Sequence, residues 1–433
     1  MSGNNTYIAE GLVVHNCHLF KSPKSGRTKR LDRYLKAHPE CVFVPLTGTP
    51  GDDSIKNIAH IQRWVHGADN SPLPTDYLET EHWSQCLDSK VIRRRAPGAL
   101  VFFSKGAEDL DDVRRGVGAR ISETPGNVYD RSETDAQCSL YLEPLQFDGY
   151  PVSTEQTFQH VRETGDQTPD GRILETPIEA YLLYQTMALE FYHIIDPPPP
   201  PEWRQARKDW TGFVRDILGQ TKLGLDTPLQ VGQLCHRNEL DSQGAYERWK
   251  ALEPTFKPNS KTVWFGQAAV EFIADWMLKN HAIVWVEYPC VGNKLKELTG
   301  LPFFHAQGVD QKLGSIETFE GKTSAILSRQ ANFLGRNLQN RWNRMLFTTP
   351  PSKSDILEQA LGRLHRQGQQ ADEVEAFFFL GSIENLESLY KARARAEFDR
   401  DYGRSESNKL LTSDWCLPTF EDASRLTGAR WKK

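Results

Sequence analysis

The sequence contains no apolar run of the length that a membrane-spanning helix requires, and its N-terminus, residues 1–6, is polar. Such a helix needs about 20 mostly apolar residues, and a secretory signal needs an apolar segment near the N-terminus. We therefore expect neither a membrane helix nor a secretory leader. The sequence predicts a protein that acts in the cytoplasm without a membrane partner.

Closely spaced cysteines are also missing. The seven cysteines stand far apart and contain no C-x-x-C pair, at positions 17, 41, 86, 138, 235, 290 and 416. An odd number without short spacing is typical of reduced thiols and not of a disulfide framework or a zinc site. The adjacent residues Cys235 and His236 have no further ligands nearby in the sequence, so we expect no metal there.

The chain has no excess of basic residues. With 52 basic and 57 acidic residues and a formal charge of -5, it is not a protein that coats nucleic acid by bulk charge. A local basic stretch does exist, because residues 21–36 hold seven basic residues and one acidic residue. Two interpretations of this stretch stay open, a solvated helix face and contact with nucleic-acid phosphates.

A phosphate-binding loop of the form G-x-x-x-x-G-K-[ST] is absent as well. Gly116 and Gly118 stand close together, but no Lys-Ser or Lys-Thr pair follows them. The chain therefore lacks the device by which many ATPases hold the phosphates of ATP.

What the sequence does contain is a regular pattern from residue 261 onward, where strand-like and helix-like segments alternate. This alternation predicts a parallel sheet with helices on both faces, and thus an α/β domain. The predicted strands are 262–265, 282–286, 324–327, 345–347 and 374–380. The predicted helices are 268–278, 294–298 and 384–398.

The earlier parts of the chain are less regular. An apolar run over residues 41–44 predicts a buried strand that feeds a tight loop at 46–50. Residues 105–180 are rich in Gly, Asp, Thr and Pro, which predicts loops around the core. Five prolines at 197–201 predict a stiff spacer, and the helical pattern after them favours buried tryptophans over base-stacking ones.

The segment after residue 351 predicts an amphipathic helix. Its apolar positions share one stripe: Leu357, Leu361 and Leu364. Its polar positions lie nearly opposite: Gln359, Arg363 and Arg366. Two guanidinium groups one turn apart suit the stabilisation of charge on a transferred phosphoryl group. A solvated helix face without chemical function is the alternative.

Residues 359–369, Q-A-L-G-R-L-H-R-Q-G-Q, resemble motif VI of Swi/Snf-type ATPases in helicase superfamily 2, the DEAD/DEAH-like group. Residues 335–339, G-R-N-L-Q, are similar to motif V, and residues 46–50, L-T-G-T-P, are similar to motif III. The resemblance covers roughly residues 17–60 and 255–385. The middle third matches more loosely, in the manner of helicases from phages and their bacterial hosts.

The resemblance implies a motor that holds ATP and Mg²⁺ between two RecA-like lobes and usually moves on double-stranded DNA, although strand separation stays open. Arg363 and Arg366 would be arginine fingers, and Gln359 would orient the γ-phosphate or the attacking water. Further contacts to the nucleotide would come from Gly335, Asn337, Gln339 and Gly362. Contact with DNA, or coupling to it, would come from His18, Thr47, Gly48, Thr49, Arg336 and His365.

Residues 4–17, N-N-T-Y-I-A-E-G-L-V-V-H-N-C, resemble the C-terminal splicing block of an intein, with the junction between Asn16 and Cys17. The Asn16 amide can attack its own carbonyl, His15 can polarise that carbonyl, and the Cys17 thiolate can accept the upstream acyl segment. The alternative is a β-hairpin without chemical meaning, since residues 6–14 have strand composition.

Removal of residues 1–16 would leave Cys17 and His18 as the end of a helicase motif II of the form Asp-Glu-Cys-His. The two acids that hold Mg²⁺ would then be missing here, like the phosphate loop. We expect the chain alone to be inactive, and to act after joining an N-terminal fragment with these elements and the rest of the intein. A start at Met1 suits splicing in trans. A truncated reading frame and a non-catalytic nucleic-acid-binding or regulatory module are the alternatives.

These observations predict five regions. They are an intein remnant (1–16), the C-terminal portion of helicase lobe 1 (17–120), an insertion or linker (121–255), helicase lobe 2 (256–400) and a tail (401–433). The predicted fold is α/β, with a RecA-like second lobe, the end of the first lobe and a mostly helical or irregular middle region.

Overall fold

The structure is a computed structural model that describes residues 6–9, 12–16, 20–46, 53–89, 91–128, 138–147, 149–165, 167–174, 176–220, 223–332, 336–402, 410–412 and 417–419. The chain divides into two compact units. The first comprises Met1–Val128, His193–Lys261 and Asp401–Arg404. The second comprises Tyr129–Tyr192, Thr262–Arg400 and Ser405–Lys433.

The strands of the described residues are β1 (Thr6–Ala9), β2 (Leu12–Asn16), β3 (Phe43–Leu46), β4 (Ser139–Leu145), β5 (Phe191–Ile195), β6 (Ser260–Trp264), β7 (Ile283–Val286), β8 (Phe303–Phe304), β9 (Val309–Asp310), β10 (Gly314–Ser315), β11 (Ala325–Ser328), β12 (Arg344–Phe347) and β13 (Glu373–Phe379). Short two-stranded sheets pair β5 with β6 and β9 with β10.

The helices of the described residues are α1 (Gly26–Ala37), α2 (Lys56–Asn70), α3 (Tyr77–Leu87), α4 (Leu110–Glu123), α5 (Val152–Thr164), α6 (Pro177–Met187), α7 (Pro201–Gly219), α8 (Pro228–His236), α9 (Ala245–Leu252), α10 (Ala268–Lys279), α11 (Pro289–Thr299), α12 (Arg329–Asn332), α13 (Ser354–Leu361) and α14 (Ile383–Tyr402). Short 3-10 helices include Gly98–Phe102, Glu253–Thr255, Ala306–Gly308 and Leu410–Thr412.

The first unit contains a three-stranded sheet in the order β1-β2-β3. The pair β1 and β2 is antiparallel, and β2 runs parallel to β3. Phe43 of β3 and Ile61 of α2 are buried together, and Trp64 packs against them. The strand predicted at residues 41–44 is therefore present, but it begins and ends two residues later.

The basic stretch of residues 21–36 lies mostly in α1, and several of its side chains contact other parts of the first unit. Arg33 forms a two-pronged ion pair with the buried carboxylate of Asp226. The ammonium of Lys29 donates a hydrogen bond to the carbonyl oxygen of Leu218 at 2.7 Å. These contacts fix α1 against the end of α7 and against Asp226, although Arg33 stays exposed. Both interpretations of the basic stretch stay open.

The helix predicted after the proline run is confirmed as α7, which begins at Pro201. A proline is favourable in the first turn because its missing N–H would have no helical partner there. Trp203 is buried, and Trp210 packs beside the buried cluster of Val214 and Ile217. The tryptophans therefore belong to the packed interior of the first unit, as predicted.

The second unit is built on a six-stranded sheet in the order β4-β13-β12-β7-β11-β8, with every neighbouring pair parallel. Helices flank this sheet, an arrangement consistent with a RecA-like lobe. The α/β fold class is confirmed. Because parallel strands covered on both faces are buried throughout, β7 and β11 have no exposed position.

Stacked aromatic rings fill the interior of the second unit. The ring centroids of Phe347 and Phe378 lie 5.2 Å apart, and the two ring planes are nearly parallel. Trp285 stacks 6.4 Å from Phe347 on its neighbouring strand. All three side chains are at most 1% exposed, so the sheet presents a continuous apolar layer to its helices.

One prediction about the fold was wrong. Residues 105–180 were expected to form loops, but they contain α4, β4, α5 and the start of α6. Strand β4 lies at one edge of the six-stranded sheet, where it pairs with β13 over seven residues. Its burial alternates and it includes a proline, so it lacks the continuous apolar run that marks the inner strands.

Candidate functional site

The candidate site is built on α13 and the turns that follow it. The predicted apolar stripe is fully buried against the sheet: Leu357, Leu361 and Leu364. The predicted polar positions are half-exposed: Gln359, Arg363 and Arg366. The predicted helix is present only over Ser354–Leu361, because Arg363, Leu364 and Arg366 lie in the turns that follow it. The buried leucines nonetheless hold this whole stretch in a fixed position.

Arg363 is anchored by two backbone carbonyls. Its Nε donates to the carbonyl oxygen of Gln359 at 3.1 Å, and one terminal nitrogen donates to the carbonyl oxygen of Arg336 at 3.0 Å. Burial, and then the positive charge of Arg366, lowers the pKa of the Arg363 guanidinium below its ordinary value. A guanidinium group is not deprotonated in proteins, so Arg363 stays charged.

Arg366 contacts the same neighbouring segment. One of its terminal nitrogens donates to Oδ1 of Asn337 at 2.8 Å. Two residues further on, Gln339 donates from Nε2 to the carbonyl oxygen of Gln367 at 3.4 Å. The structure thus brings the predicted motif V residues 336–339 against the predicted motif VI residues 359–367.

Within the described part of the second unit, neither Arg363 nor Arg366 forms an ion pair with a carboxylate. Other arginines of this unit do form such pairs: Arg329 with Glu287, Arg336 with Glu317, Arg344 with Glu375, and Arg393 with Glu397. Two adjacent cations without a counter-charge repel each other. An anion with several oxygens relieves that repulsion and accepts several charge-assisted hydrogen bonds.

The segment between β11 and β12 is held by residues that the sequence did not single out. Glu317 pairs with Arg336, whose guanidinium also donates to the carbonyl oxygen of Gln307 at 2.9 Å. Asn332 is fully buried and donates to the carbonyl oxygens of Phe304 and Ser328. No local sequence signal marks these contacts, because each partner lies on a different strand or loop.

The back of α13 is fixed by the C-terminal part of the chain. The carboxylate of Glu358 accepts hydrogen bonds from the backbone N–H groups of Leu410 at 3.0 Å and Leu411 at 2.9 Å. Leu411 is buried in the same core as Leu357. The guanidinium of Arg395 on α14 donates to the carbonyl oxygen of Ser352 at 2.8 Å, just before α13. These contacts restrict movement of α13, which directly precedes the two arginines.

Three further predicted residues lie on the same stretch. Gln359 has a buried side-chain oxygen without a hydrogen-bond partner in the described part of the chain. Gly362 ends the helix with a negative φ, so its position does not demand a glycine backbone. The Nε2 of His365 lies 3.0 Å from the carbonyl oxygen of Cys138 and donates to it. His365 therefore ties the turn to the start of β4.

Several predicted site residues lie outside the described residues: Cys17, His18, Thr47, Gly48, Thr49 and Gly335. The backbones of His15 and Asn16 are described and end β2. The predicted roles of all these residues stay predictions.

The described residues contain no group of three or more His, Cys, Asp and Glu side chains arranged to hold a metal ion. Cys235 and His236 lie at the end of α8, where the ammonium of Lys250 is the polar neighbour of the imidazole at 3.5 Å. Among the helices of these same residues, none is both long enough and apolar enough to span a bilayer.

No protein-family model and no curated sequence matches the chain. Among solved structures, the C-terminal part of the Fun30 ATPase domain is similar to it, with a TM-score of 0.32 and 13% sequence identity. The match covers 61% of this chain and 96% of that one. A likeness of this size says nothing about the function of the chain.

Proposed function

We propose that this chain supplies the second lobe, and the end of the first lobe, of an ATP-driven DNA translocase of the Swi/Snf type. The supporting observation is the pair of arginines without carboxylate partners, Arg363 and Arg366, held together by residues 336–339. In this proposal the two guanidinium groups bind the polyphosphate of ATP. Their charge stabilises the negative charge that develops during phosphoryl transfer.

The donor set fits a polyphosphate. Each guanidinium spends part of its hydrogen-bonding capacity on the protein, Arg363 on two carbonyls and Arg366 on one side-chain oxygen. An arginine has five N–H donors, so both retain donors for phosphate oxygens. Among the described residues no acidic cluster suits Mg²⁺, and in this proposal the ligands of that ion come from the segment that precedes Cys17.

The same proposal assigns residues 1–16 to an intein. The Asn16 amide nitrogen attacks the Asn16 carbonyl carbon and closes a five-membered imide, while the bond to Cys17 breaks and Cys17 keeps the amine. Before that cleavage, the Cys17 sulfur accepts the upstream acyl group as a thioester and displaces the first residue of the intein, which had held this group. After the cleavage, the acyl group moves from sulfur to that amine as an amide, and the Cys17 thiol is free again. His15 transfers the proton to the leaving nitrogen. The product joins Cys17 to a segment that carries the phosphate loop and the acids of motif II.

Binding of inorganic triphosphate to the purified chain tests the arginine assignment without requiring the joined protein. Isothermal titration should detect binding, and Arg366→Ala should weaken it by about tenfold or more, because a charge-assisted hydrogen bond contributes about 1.5–3 kcal/mol. Arg393→Ala removes an arginine that is already paired with Glu397, and serves as the matched control. Equal affinity of the wild type and Arg366→Ala would remove this residue from the proposed site.

A further inference from the structure

Helix α7 of the first unit separates its side chains into three faces. The apolar face packs inward, and its buried residues are Trp203, Ala206, Val214 and Ile217. A second face holds exposed basic residues within about 100° of the helix circumference, since each residue turns the helix by about 100°. These residues form what we call the basic face of α7: Arg204, Arg207, Lys208 and Arg215. The acids lie on a third face, at intervals of two turns: Glu202, Asp209 and Asp216.

The charges of the basic face are not balanced by neighbouring acids. On the acidic face, Asp209 pairs with Arg248 of α9. On the basic face, no carboxylate of the described residues pairs with Arg204, Lys208 or Arg215. Arg204 and Lys208 stand four residues apart, and like charges at this spacing destabilise a helix. A solvated helix face that served stability alone would mix the two signs, so this row of cations indicates an anionic partner.

The basic face has the length and the neighbourhood of a surface for a linear polyanion. From Arg204 to Arg215 the helix rises by about 16 Å. One strand of duplex DNA carries a phosphate about every 3.4 Å along its axis, so several phosphates fit along this row. In the last turn of α7, the carbonyl oxygen of Leu218 accepts a hydrogen bond from Lys29 of α1 at 2.7 Å. The basic face therefore ends beside the basic stretch of residues 21–36.

We propose that the basic face of α7 is a docking surface for the sugar-phosphate backbone of double-stranded DNA. The choice of DNA rests on the proposed function, which assigns the chain to a DNA translocase. The guanidinium and ammonium groups bind phosphate oxygens without reading bases, because phosphate contacts carry no sequence information. Helix α7 lies outside the residues that resemble helicase motifs. The surface thus adds a contact to DNA that requires no bound nucleotide.

Binding of DNA to the full, unjoined chain without nucleotide tests this inference by fluorescence anisotropy. The probe is a duplex of about 20 base pairs, which is several times longer than the basic face. The triple variant Arg204→Gln, Lys208→Gln and Arg215→Gln should bind it at least about tenfold more weakly. The slope of log affinity against log salt concentration should become shallower by about 2 to 3, since each lost phosphate contact removes about 0.9. An unchanged affinity and slope, or no binding of DNA by the wild type, would overturn the inference.

A matched control removes the same number of arginines and lysines from positions of the first unit that have carboxylate partners. These pairs are Arg115 with Asp112, Arg248 with Asp209 and Lys261 with Asp196. Their triple replacement by Gln changes the net charge equally and should leave the affinity within about twofold of the wild type, because salt screens distant charges. Equal weakening in both triple variants would attribute the effect to net charge and refute a specific surface.

A gain of affinity provides a test that does not depend on the fold of a weakened variant. Thr211→Lys adds a cation to the exposed centre of the basic face and should tighten binding by about threefold or more, with a salt slope steeper by about one. Gln205→Lys adds the same charge on the acidic side of the same helix, beside Asp209, and should have a smaller effect. Equal effects of the two variants would contradict the proposed surface.

None of these measurements involves ATP or triphosphate. A chain that binds triphosphate through Arg366, but whose affinity for DNA is the same in all variants, would lose this surface and keep the arginine assignment. The opposite result would keep the surface and remove the assignment.

Discussion

At the scale of single residues, the partner of each charged side chain indicates the role of that side chain. In the described part of the second unit, five arginines lie against a carboxylate: Arg162, Arg329, Arg336, Arg344 and Arg393. Arg363 and Arg366 instead lie beside each other and are held by neutral oxygen atoms. An arrangement that costs electrostatic energy in the unliganded chain is typical of a site that binds an anion.

Arg366→Ala in the joined protein should lower ATP turnover by about a thousandfold or more, because an arginine finger stabilises the transition state more than the bound nucleotide. Nucleotide affinity should change less than turnover. Steady-state hydrolysis and nucleotide titration measure the two effects separately. Arg393→Ala should retain wild-type turnover, and near-normal hydrolysis by Arg366→Ala would exclude the finger role.

In contrast to the two arginines, the buried carboxylate of Asp310 has an ammonium group and backbone N–H groups that compensate its charge. Burial alone would raise its pKa, but the ammonium of Lys296 at 2.6 Å and the backbone N–H groups of Lys312, Phe303 and Leu313 lower the pKa to about 2. A carboxyl pKa lowered from 3.8 to about 2 contributes roughly 2 kcal/mol to the free energy of unfolding. This contribution is present above pH 4 and is lost as the pH falls toward 2.

Asp310→Asn should therefore lower the free energy of unfolding by about 2 kcal/mol near pH 7. The difference from the wild type should shrink to about half at pH 3, where the wild-type carboxylate has lost about half of its contribution. Urea unfolding at pH 7, 5 and 3 measures this trend. A difference that stays constant over that range would show that the charge of Asp310 does not carry the effect.

At the scale of elements, steric fit between helices and the sheet positions the site. Helix α11 packs on β8 so closely that a Cβ atom at Gly292 would lie 2.3 Å from the Phe303 ring. Both Gly292 and Phe303 are buried, so neither can yield without moving the helix. This contact fixes the position of β8. The chain continues from β8 into residues 306–308, where the carbonyl oxygen of Gln307 accepts a hydrogen bond from Arg336.

Gly292→Ala should lower the free energy of unfolding by about 2 kcal/mol, because overpacking of a close contact costs more than alanine gains in a helix. Gly212→Ala is the matched control in α7, where the added Cβ meets no atom within 4 Å. It should be stabilising by roughly 0.5–1 kcal/mol. Thermal unfolding of both variants checks the opposite signs, and a stabilised Gly292→Ala would refute the close packing of α11.

The elements also show where prediction from sequence succeeds. The inner strands β7 and β11 are continuous apolar runs because both of their faces are covered, so they were predicted to within a residue or two. The apolar stripe predicted α13 but not its end at Leu361, before Arg363 and Arg366. Strand β4 was missed because an edge strand with alternating burial and a proline gives a weak signal. The contact of Arg33 with Asp226 was not predicted, since sequence spacing carries no trace of it.

At the scale of the whole molecule, the two compact units contain different parts of the proposed machinery. The second unit holds the six-stranded sheet and the arginine pair. The first unit holds the basic helix α1 and the sheet that includes β2 and β3. Sequence motifs singled out residues 336–339 and 359–367 of the second unit. The contact between these two segments, and the pairing of β2 with β3, could be recognised only from the fold.

The purified, unjoined chain still carries residues 1–16 and has neither the phosphate loop nor the motif II acids, so it should not hydrolyse ATP. The joined protein should have all of them. ATP turnover of both species, measured side by side in one assay with DNA present, tests this division most directly. The account predicts hydrolysis by the joined protein and none by the unjoined chain. Efficient hydrolysis by the unjoined chain, or none by the joined protein, would contradict it.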